Sequence, residues 1–326
     1  MQILRIALIS ALSRDARSDR LYEGFPEAGH TLVHVGKEIY QITEFLGSGP
    51  KKRAYVARRT AKTPIAPDQL YMPPQETGIL LDDIALPDEV VIKCSATDQR
   101  ARKDKLVSEF EALRFLNRLR SVRKPIGLYL SKQWKCFGEG EFVCQYLVMT
   151  KASDDLRKII VKNSMGLRAP LVHDNLPADE LMVGFSFELF LATFSLSLIG
   201  ELEKLHAVGL VHREMSIKNV ALDQEDPRLV TLIDMGSSSF LTKYDSIHKI
   251  EKVIKHDFHR VRRVSLQLLA EAVSRSYPQE EVNSSMAHLF PVIKDTTTMT
   301  ELRVSLLQYL EREHPNVRYD GKIVYQ

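Results

Sequence analysis

Cysteine is scarce. Cys94, Cys136 and Cys144 are an odd number at wide spacing, with no Cys-x-x-Cys pair, in a chain of 326 residues. That pattern argues against a disulfide framework or a zinc site, and makes a reducing compartment, cytoplasmic or nuclear, the expectation. An excess of charge of one sign is also missing. Forty-five Lys and Arg oppose 42 Asp and Glu, a formal net charge of +3, which is too near neutral for a nucleic-acid-binding polycation. The basic stretches Lys51, Lys52 and Arg53, 100–124 and 249–263 are interspersed with acids and read as solvated faces, so nucleic acid is not an expected partner. Internal repeats and low-complexity tracts are absent, which removes collagen and coiled-coil readings.

With 44% hydrophobic and 27% charged residues the chain has the makings of a globular core. Its length is twice the roughly 150 residues of an average domain, so two modules or one large bilobal domain are expected. The apolar run Ile6 to Leu12, followed by Arg14, Arg17 and Arg20, reads as a short helix, with an organellar presequence as the alternative. Residues 1–35 are taken as an N-terminal extension. From Glu38, β-branched and aromatic runs bounded by Gly, Pro or Lys predict strands in YQITEFLGSG, RAYVARR, EVVIKCS, GLYLSKQWK and EFVCQYLVMT. The proline-rich stretch 60–88 reads as an irregular insertion, and apolar spacing predicts a helix over 100–120. Beyond Lys151 the pattern turns helical. A loop is expected over 163–177, a long apolar helix over 179–207, short strands in VALD and VTLID, and helices over 245–274, 279–292 and 299–313. The stretch Leu181 to Gly200 is long enough to span a bilayer.

Five short motifs follow one another along this pattern. LGSGPKKRAYVA (46–57) is a glycine turn between two strands, and such a turn lets backbone amides approach phosphates. VVIK ends on Lys93, and SEFEALRFL supplies Glu109, with Glu111 as the alternative partner. LHAVGLVHREMSIKNVAL places His212, Arg213 and Glu214 five residues before Asn219, and VTLIDMGSS carries Asp234, Met235 and Gly236. In this order and on these elements the motifs resemble the protein kinase superfamily over about residues 36–275.

The resemblance implies an α+β, protein-kinase-like bilobal fold. A small, mostly antiparallel β N-lobe with one key helix spans 36–150, a larger α-helical C-lobe spans 151–326, and the long apolar helix is buried inside the C-lobe, with no membrane involved. It implies ATP and Mg²⁺ bound in the cleft between the lobes. Gly47 and Gly49 would line the phosphates, and Lys93, paired with Glu109, would contact them. Met149 would be the gatekeeper, the Thr150 carbonyl and Ala152 amide would meet adenine, and Ala57 and Ala221 would cover its two faces. Asn219 and Asp234 would hold metal, Glu214 would stand where the family has the catalytic Asp, and Lys218 would neutralise the transferred group or point to solvent. Asp257 would brace the catalytic loop or cap a helix.

Two departures bear on activity. Glu keeps the carboxylate but adds about 1.5 Å of reach, and misplacement of about 1 Å can cost on the order of 10²-fold, so impaired transfer is expected. Only 20 residues separate Gly236 from Asp257, with no Ala-Pro-Glu motif to build a peptide platform; Ser237, Ser238, Ser239, Thr242 and Tyr244 offer hydroxyls there. The expectation is a divergent Ser/Thr protein kinase acting on a protein substrate. The alternatives are a pseudokinase that binds nucleotide or a regulated protein partner, and a small-molecule kinase of related fold.

Overall fold

A computed structural model describes residues 31–49, 52–60, 78–80, 85–98, 105–119, 124–131, 134–136, 142–152, 187–222, 229–274, 279–319 and 323–325. The presequence alternative, the loop 163–177 and most of the insertion 60–88 lie outside these residues. The chain divides into two compact units, Met1–Asn117 with Ile126–Lys151 and Arg118–Pro125 with Ala152–Gln326.

The first unit is built on one antiparallel sheet. Its strands are β1 (Leu32–Val35), β2 (Glu38–Gly49), β3 (Lys52–Arg59), β4 (Gly78–Leu80), β5 (Glu89–Asp98), β6 (Gly127–Ser131), β7 (Trp134–Cys136) and β8 (Phe142–Thr150). They run in the order β1-β2-β3-β5-β8-β6-β4, with β7 paired to β8. β1 and β4 are additions to the sequence reading. β1 lies in the expected extension and β4 in the expected insertion, and each is tied in by an antiparallel partner, β2 and β6. One sheet face is a core of Val33, Val35, Tyr40, Ile42, Tyr55, Ala57, Val90, Ile92, Leu128, Tyr146 and Val148. Successive side chains alternate across the sheet, so Val91, Lys93, Leu147 and Met149 belong to the other face.

Helix α1 (Lys105–Leu119) packs on that second face through Leu106, Phe110, Leu113 and Leu116, spaced three or four apart. A methyl group at Gly127 would stand 3.2 Å from Leu113 Cβ and 3.4 Å from the Phe110 ring, so the missing side chain is what lets the helix lie this close. Cys94 is buried and free. Cys144 is disulfide-bonded, which corrects the expectation of unpaired cysteines: antiparallel pairing of β7 with β8 folds this part of the chain back on itself, and spacing in sequence does not report such proximity.

The second unit centres on α2 (Phe187–Ala207), whose residues 189–199 are all buried. Its hydroxyls are satisfied locally or by neighbours. Thr193 donates to the Leu189 carbonyl at 2.6 Å, Ser195 and Ser265 share a hydrogen bond of 2.8 Å, and Ser197 accepts from Val230 N at 3.0 Å. Among the described residues no helix is long and apolar enough to cross a membrane. After α2 come β9 (Leu210–Val211), β10 (Val220–Leu222), β11 (Val230–Leu232) and β12 (Ser239–Phe240), then α3 (Ile247–Ser274), α4 (Gln279–Asp295) and α5 (Met299–Glu313), and a terminal hairpin of β13 (Val317–Tyr319) and β14 (Ile323–Tyr325). α5 opens on a capping box in which Thr298 and Glu301 satisfy each other's backbone amides.

Candidate active site

In the first unit, cross-strand register fixes which side chains share a face. Gly47 stands opposite Ala54, Ala54 opposite Lys93, and Lys93 opposite Leu147, a row running across β2, β3, β5 and β8. Ala54 therefore neighbours Lys93 on one side, with Gly47 beyond it and Leu147 on the other, and a methyl group placed on Gly47 would meet nothing within 4 Å. Lys93 Nζ lies 2.5 Å from Glu109 Oε1, and the side chains are 16% and 1% exposed. Glu109 thus takes the lysine; Glu111, the sequence alternative, is exposed on another face of α1. A carboxylate this deep is held by its cation, and the pair in turn fixes the ammonium on this face of the sheet.

Ala57 does not join this row. It pairs with Val90, three residues from Lys93 along β5, and an odd offset on a strand changes face; its methyl is buried in the core cluster. The assignment of Ala57 to an adenine face is corrected accordingly: on this unit the candidates are Ala54 and Val91, which counting in twos from Lys93 identifies. Met149 stands opposite Val91, on the Lys93 face, and is buried. Thr150 closes β8 with Oγ1 accepting from Ile126 N at 2.8 Å, and Ala152 is half-buried. Gly49 pairs with Lys52 at the end of the β2–β3 ladder.

In the second unit the loop after β9 is held by one buried carboxylate. Asp257, eleven residues into α3, is fully buried; Oδ1 accepts from Arg213 N at 2.7 Å, and Oδ2 accepts from His212 N at 2.8 Å and from His206 Nε2 at 3.0 Å. It is a brace, and the helix-cap alternative fails because α3 begins at Ile247. Burial pushes the Asp257 carboxyl up, but the His206 hydrogen bond, the charges of His212 and His206 and the Arg213 amide together hold it below the ordinary range. Burial lowers His212, against the raising effect of Asp257, Asp234, Ile233 and Glu214.

The two non-glycine residues with left-handed backbone among those described are Arg213, at φ 69°, and Asp234, at φ 62°. Such strain persists where surrounding contacts over-determine it, and it gathers at functional sites. Asp234 Oδ1 accepts from Gly236 N at 3.3 Å and caps the short 3₁₀ turn Met235–Ser237, whose Met235 is fully buried. Asn219 Nδ2 donates to the Glu214 carbonyl at 2.7 Å, so the amide oxygen Oδ1 is the group's acceptor. Glu214 is exposed and Oε2 accepts from Ser237 Oγ. Lys218 is exposed, with no hydrogen bond or ion pair to any described residue, and Ala221 is buried in β10.

Only ten residues, 237–246, connect Gly236 to α3. β12 pairs with β9, and Leu241 N donates to the Gly209 carbonyl at 2.7 Å. Ser238 Oγ donates to the Met235 carbonyl at 2.7 Å, and Ser239 Oγ and Tyr244 OH share a bond of 2.8 Å. Sequence reasoning assigned none of these hydroxyls a partner, because each contact depends on how the segment folds back.

The architecture matches known structures. The crystal structure of the BubR1 kinase domain superposes with a TM-score of 0.51, covering 94% of each chain at 14% identity. The chain has a protein-kinase-like fold. No protein family and no curated protein matches the sequence. The kinase-like likeness is one of fold; the chemistry of the residues above has to be argued from their own geometry.

Proposed function

We propose that the chain is a divergent ATP- and Mg²⁺-dependent protein kinase that transfers the γ-phosphoryl group to Ser or Thr hydroxyls at reduced rate. The observation that carries this reading is the second unit's loop pair. One buried aspartate fixes His212 and Arg213, two strained residues aim the following groups, and the exposed Glu214 carboxylate accepts a hydroxyl hydrogen bond. That is the contact an acceptor hydroxyl makes with a general base.

Mg²⁺ binds through one or two carboxylates together with nucleotide phosphates, using oxygen ligands only. The Asp234 carboxylate and the Asn219 amide oxygen fit that donor set. Held by Asp234 and Asn219, such an ion would supply neutralisation of the charge that develops on transfer. The chain's own residues do the rest. Lys93, steadied by Glu109, binds the α- and β-phosphates beside Gly47 and Ala54. Glu214 takes the proton of the acceptor hydroxyl as its oxygen bonds the γ-phosphorus and the bond to the β–γ bridging oxygen breaks. Lys218 is within the same loop and exposed, available to the transferred group. Most of the catalysis in such a reaction is positioning and electrostatics, so a longer base lowers the rate without removing it.

The brevity of 237–246 supports a second reading, a module that binds nucleotide or a protein partner and transfers nothing. Thermal unfolding with ATP, with and without Mg²⁺, tests the shared part. Stabilisation by ATP that Mg²⁺ increases is expected, and none at millimolar ATP would sink both nucleotide readings. Phosphate transfer to a protein mixture by wild type and Asp234→Ala separates them: wild type active and the variant silent supports the kinase, both silent supports the module.

A further inference from the structure

We infer that Ser237 is a positioning residue for Glu214, a hydroxyl that compensates for the extra methylene of a glutamate at the base position; this rests on the reading of Glu214 as the base. The backbone of Glu214 is already fixed. Its amide approaches His212 Nδ1 at 3.4 Å, its carbonyl accepts from Asn219 Nδ2 at 2.7 Å, and the preceding amide is held by Asp257. The side chain is exposed and has one more rotatable bond than aspartate. Ser237 Oγ donates to its tip, at Oε2.

Ser237 can set that tip because it is itself rigid. It ends the 3₁₀ turn that starts at the buried Met235, with Gly236 N bound to Asp234 Oδ1 and Ser238 N donating to the Met235 carbonyl at 3.0 Å. The turn that carries Ser237 is the one capped by Asp234, so a single rigid element sets the base relative to the metal-directed carboxylate. The bond does not consume the base. An ionised carboxylate has about four lone-pair sites, so one serine leaves acceptor capacity on Glu214 for a substrate hydroxyl. An aspartate at 214, shorter by about 1.5 Å, would fall short of Ser237 Oγ and would not need it.

The test is a kinetic cycle on the full chain, measuring phosphate transfer to a protein substrate by wild type, Ser237→Ala, Ser237→Thr, Glu214→Asp and the Ser237→Ala/Glu214→Asp double variant. Thermal midpoints would be taken alongside to show that each is folded. Expected for Ser237→Ala is a fall in kcat of about 10-fold, less than the roughly 10²-fold of a 1 Å misplacement, with KM for ATP unchanged. Ser237→Thr, which keeps the hydroxyl, should return kcat to within a few-fold of wild type. In the Glu214→Asp background Ser237→Ala should change nothing. The inference is overturned if Ser237→Ala matches or exceeds wild type, if threonine fails to rescue, or if serine removal costs as much with Asp at 214 as with Glu. A wild type with no transfer overturns it by a separate route, because then the base itself is refuted; an active wild type with an unaffected Ser237→Ala refutes the positioning role alone.

Discussion

Replacing Asp257 by alanine should be among the most damaging single changes in the second unit, and its size can be worked from the contacts. The carboxylate is fully buried and accepts three hydrogen bonds of 2.7, 2.8 and 3.0 Å, two of them from consecutive backbone amides. Each buried donor left without an acceptor costs about 1–3 kcal/mol, and opening a buried charged network from one side costs about 3–5 kcal/mol. Asp257→Ala should therefore lose about 3–5 kcal/mol, a fall in midpoint on the order of 10 °C at the 2–4 °C per kcal/mol typical of large domains. Asp257→Asn keeps one carbonyl acceptor but must turn an NH₂ toward a donor, so its cost should be smaller, about 1–3 kcal/mol. Far-UV circular dichroism in urea, dominated by the second unit's helices, reads the loss. The only tryptophan, Trp134, lies in the first unit, so its fluorescence gives a separate trace. The brace would be refuted by Asp257→Ala unfolding within about 0.5 kcal/mol of wild type, the scale of an ordinary surface substitution.

Three further outcomes are expected. Lys93→Met should destabilise the first unit by about 3 kcal/mol, since it deprives a buried carboxylate of its cation, and adding Glu109→Leu should recover most of that loss; Trp134 fluorescence during denaturation checks the cycle. Acid should weaken the fold in a window set by His212: burial keeps this imidazole neutral in the folded chain while the unfolded chain takes up a proton near 6.5, so stability is full above that pH and falls as pH drops through it. Urea midpoints between about pH 7.5 and 5.5 should fall in wild type and fall less in His212→Phe, the contribution of the depressed Asp257 being lost only at lower pH, below 3.8. At Arg213, φ 69° suits glycine and opposes β-branched residues, so Arg213→Val should lower the thermal midpoint by the equivalent of about 1–2 kcal/mol while Arg213→Gly leaves it level or higher.

The parts of this molecule readable in the sequence are those written in local patterns. Leu106, Phe110, Leu113 and Leu116 announce α1, the long, mostly apolar run announces α2, and the spacing from His212 to Asn219 places a loop before β10. β1, β4, β13 and β14, of three or four residues, leave too few side chains for alternation to register, whereas β10 and β11, equally short, are β-branched, apolar runs beside recognisable motifs. Ala57 reaches the adenine face only by resemblance; strand parity, its odd offset from the Lys93 column, turns it into the core. Asp257 stays open between brace and cap in the sequence, because the partners that decide it, His206, His212 and Arg213, lie 44 to 51 residues away. Long-range pairings such as Ser237 with Glu214, 23 residues apart, have no local signature, because hydroxyls and carboxylates are common on any surface and only the folded loop selects one of each.

The short connection from Gly236 to α3 also limits how this protein could be regulated. Its residues are tethered at Met235, at the β9 ladder and at Gly209 within a span of ten residues. A segment so closely tied cannot swing between two ordered states without breaking the Leu210–Val211 pairing, so it belongs to the same cooperative folding unit as the loop carrying Glu214. The amides of Val211, Ser239 and Leu241 should exchange hydrogen together, at the rate of the whole unit rather than of a frayed loop. Ser239, 7% exposed, is accordingly closed to a modifying enzyme in the folded chain, whereas Thr242, exposed in the same segment, is open to one without any movement of the backbone.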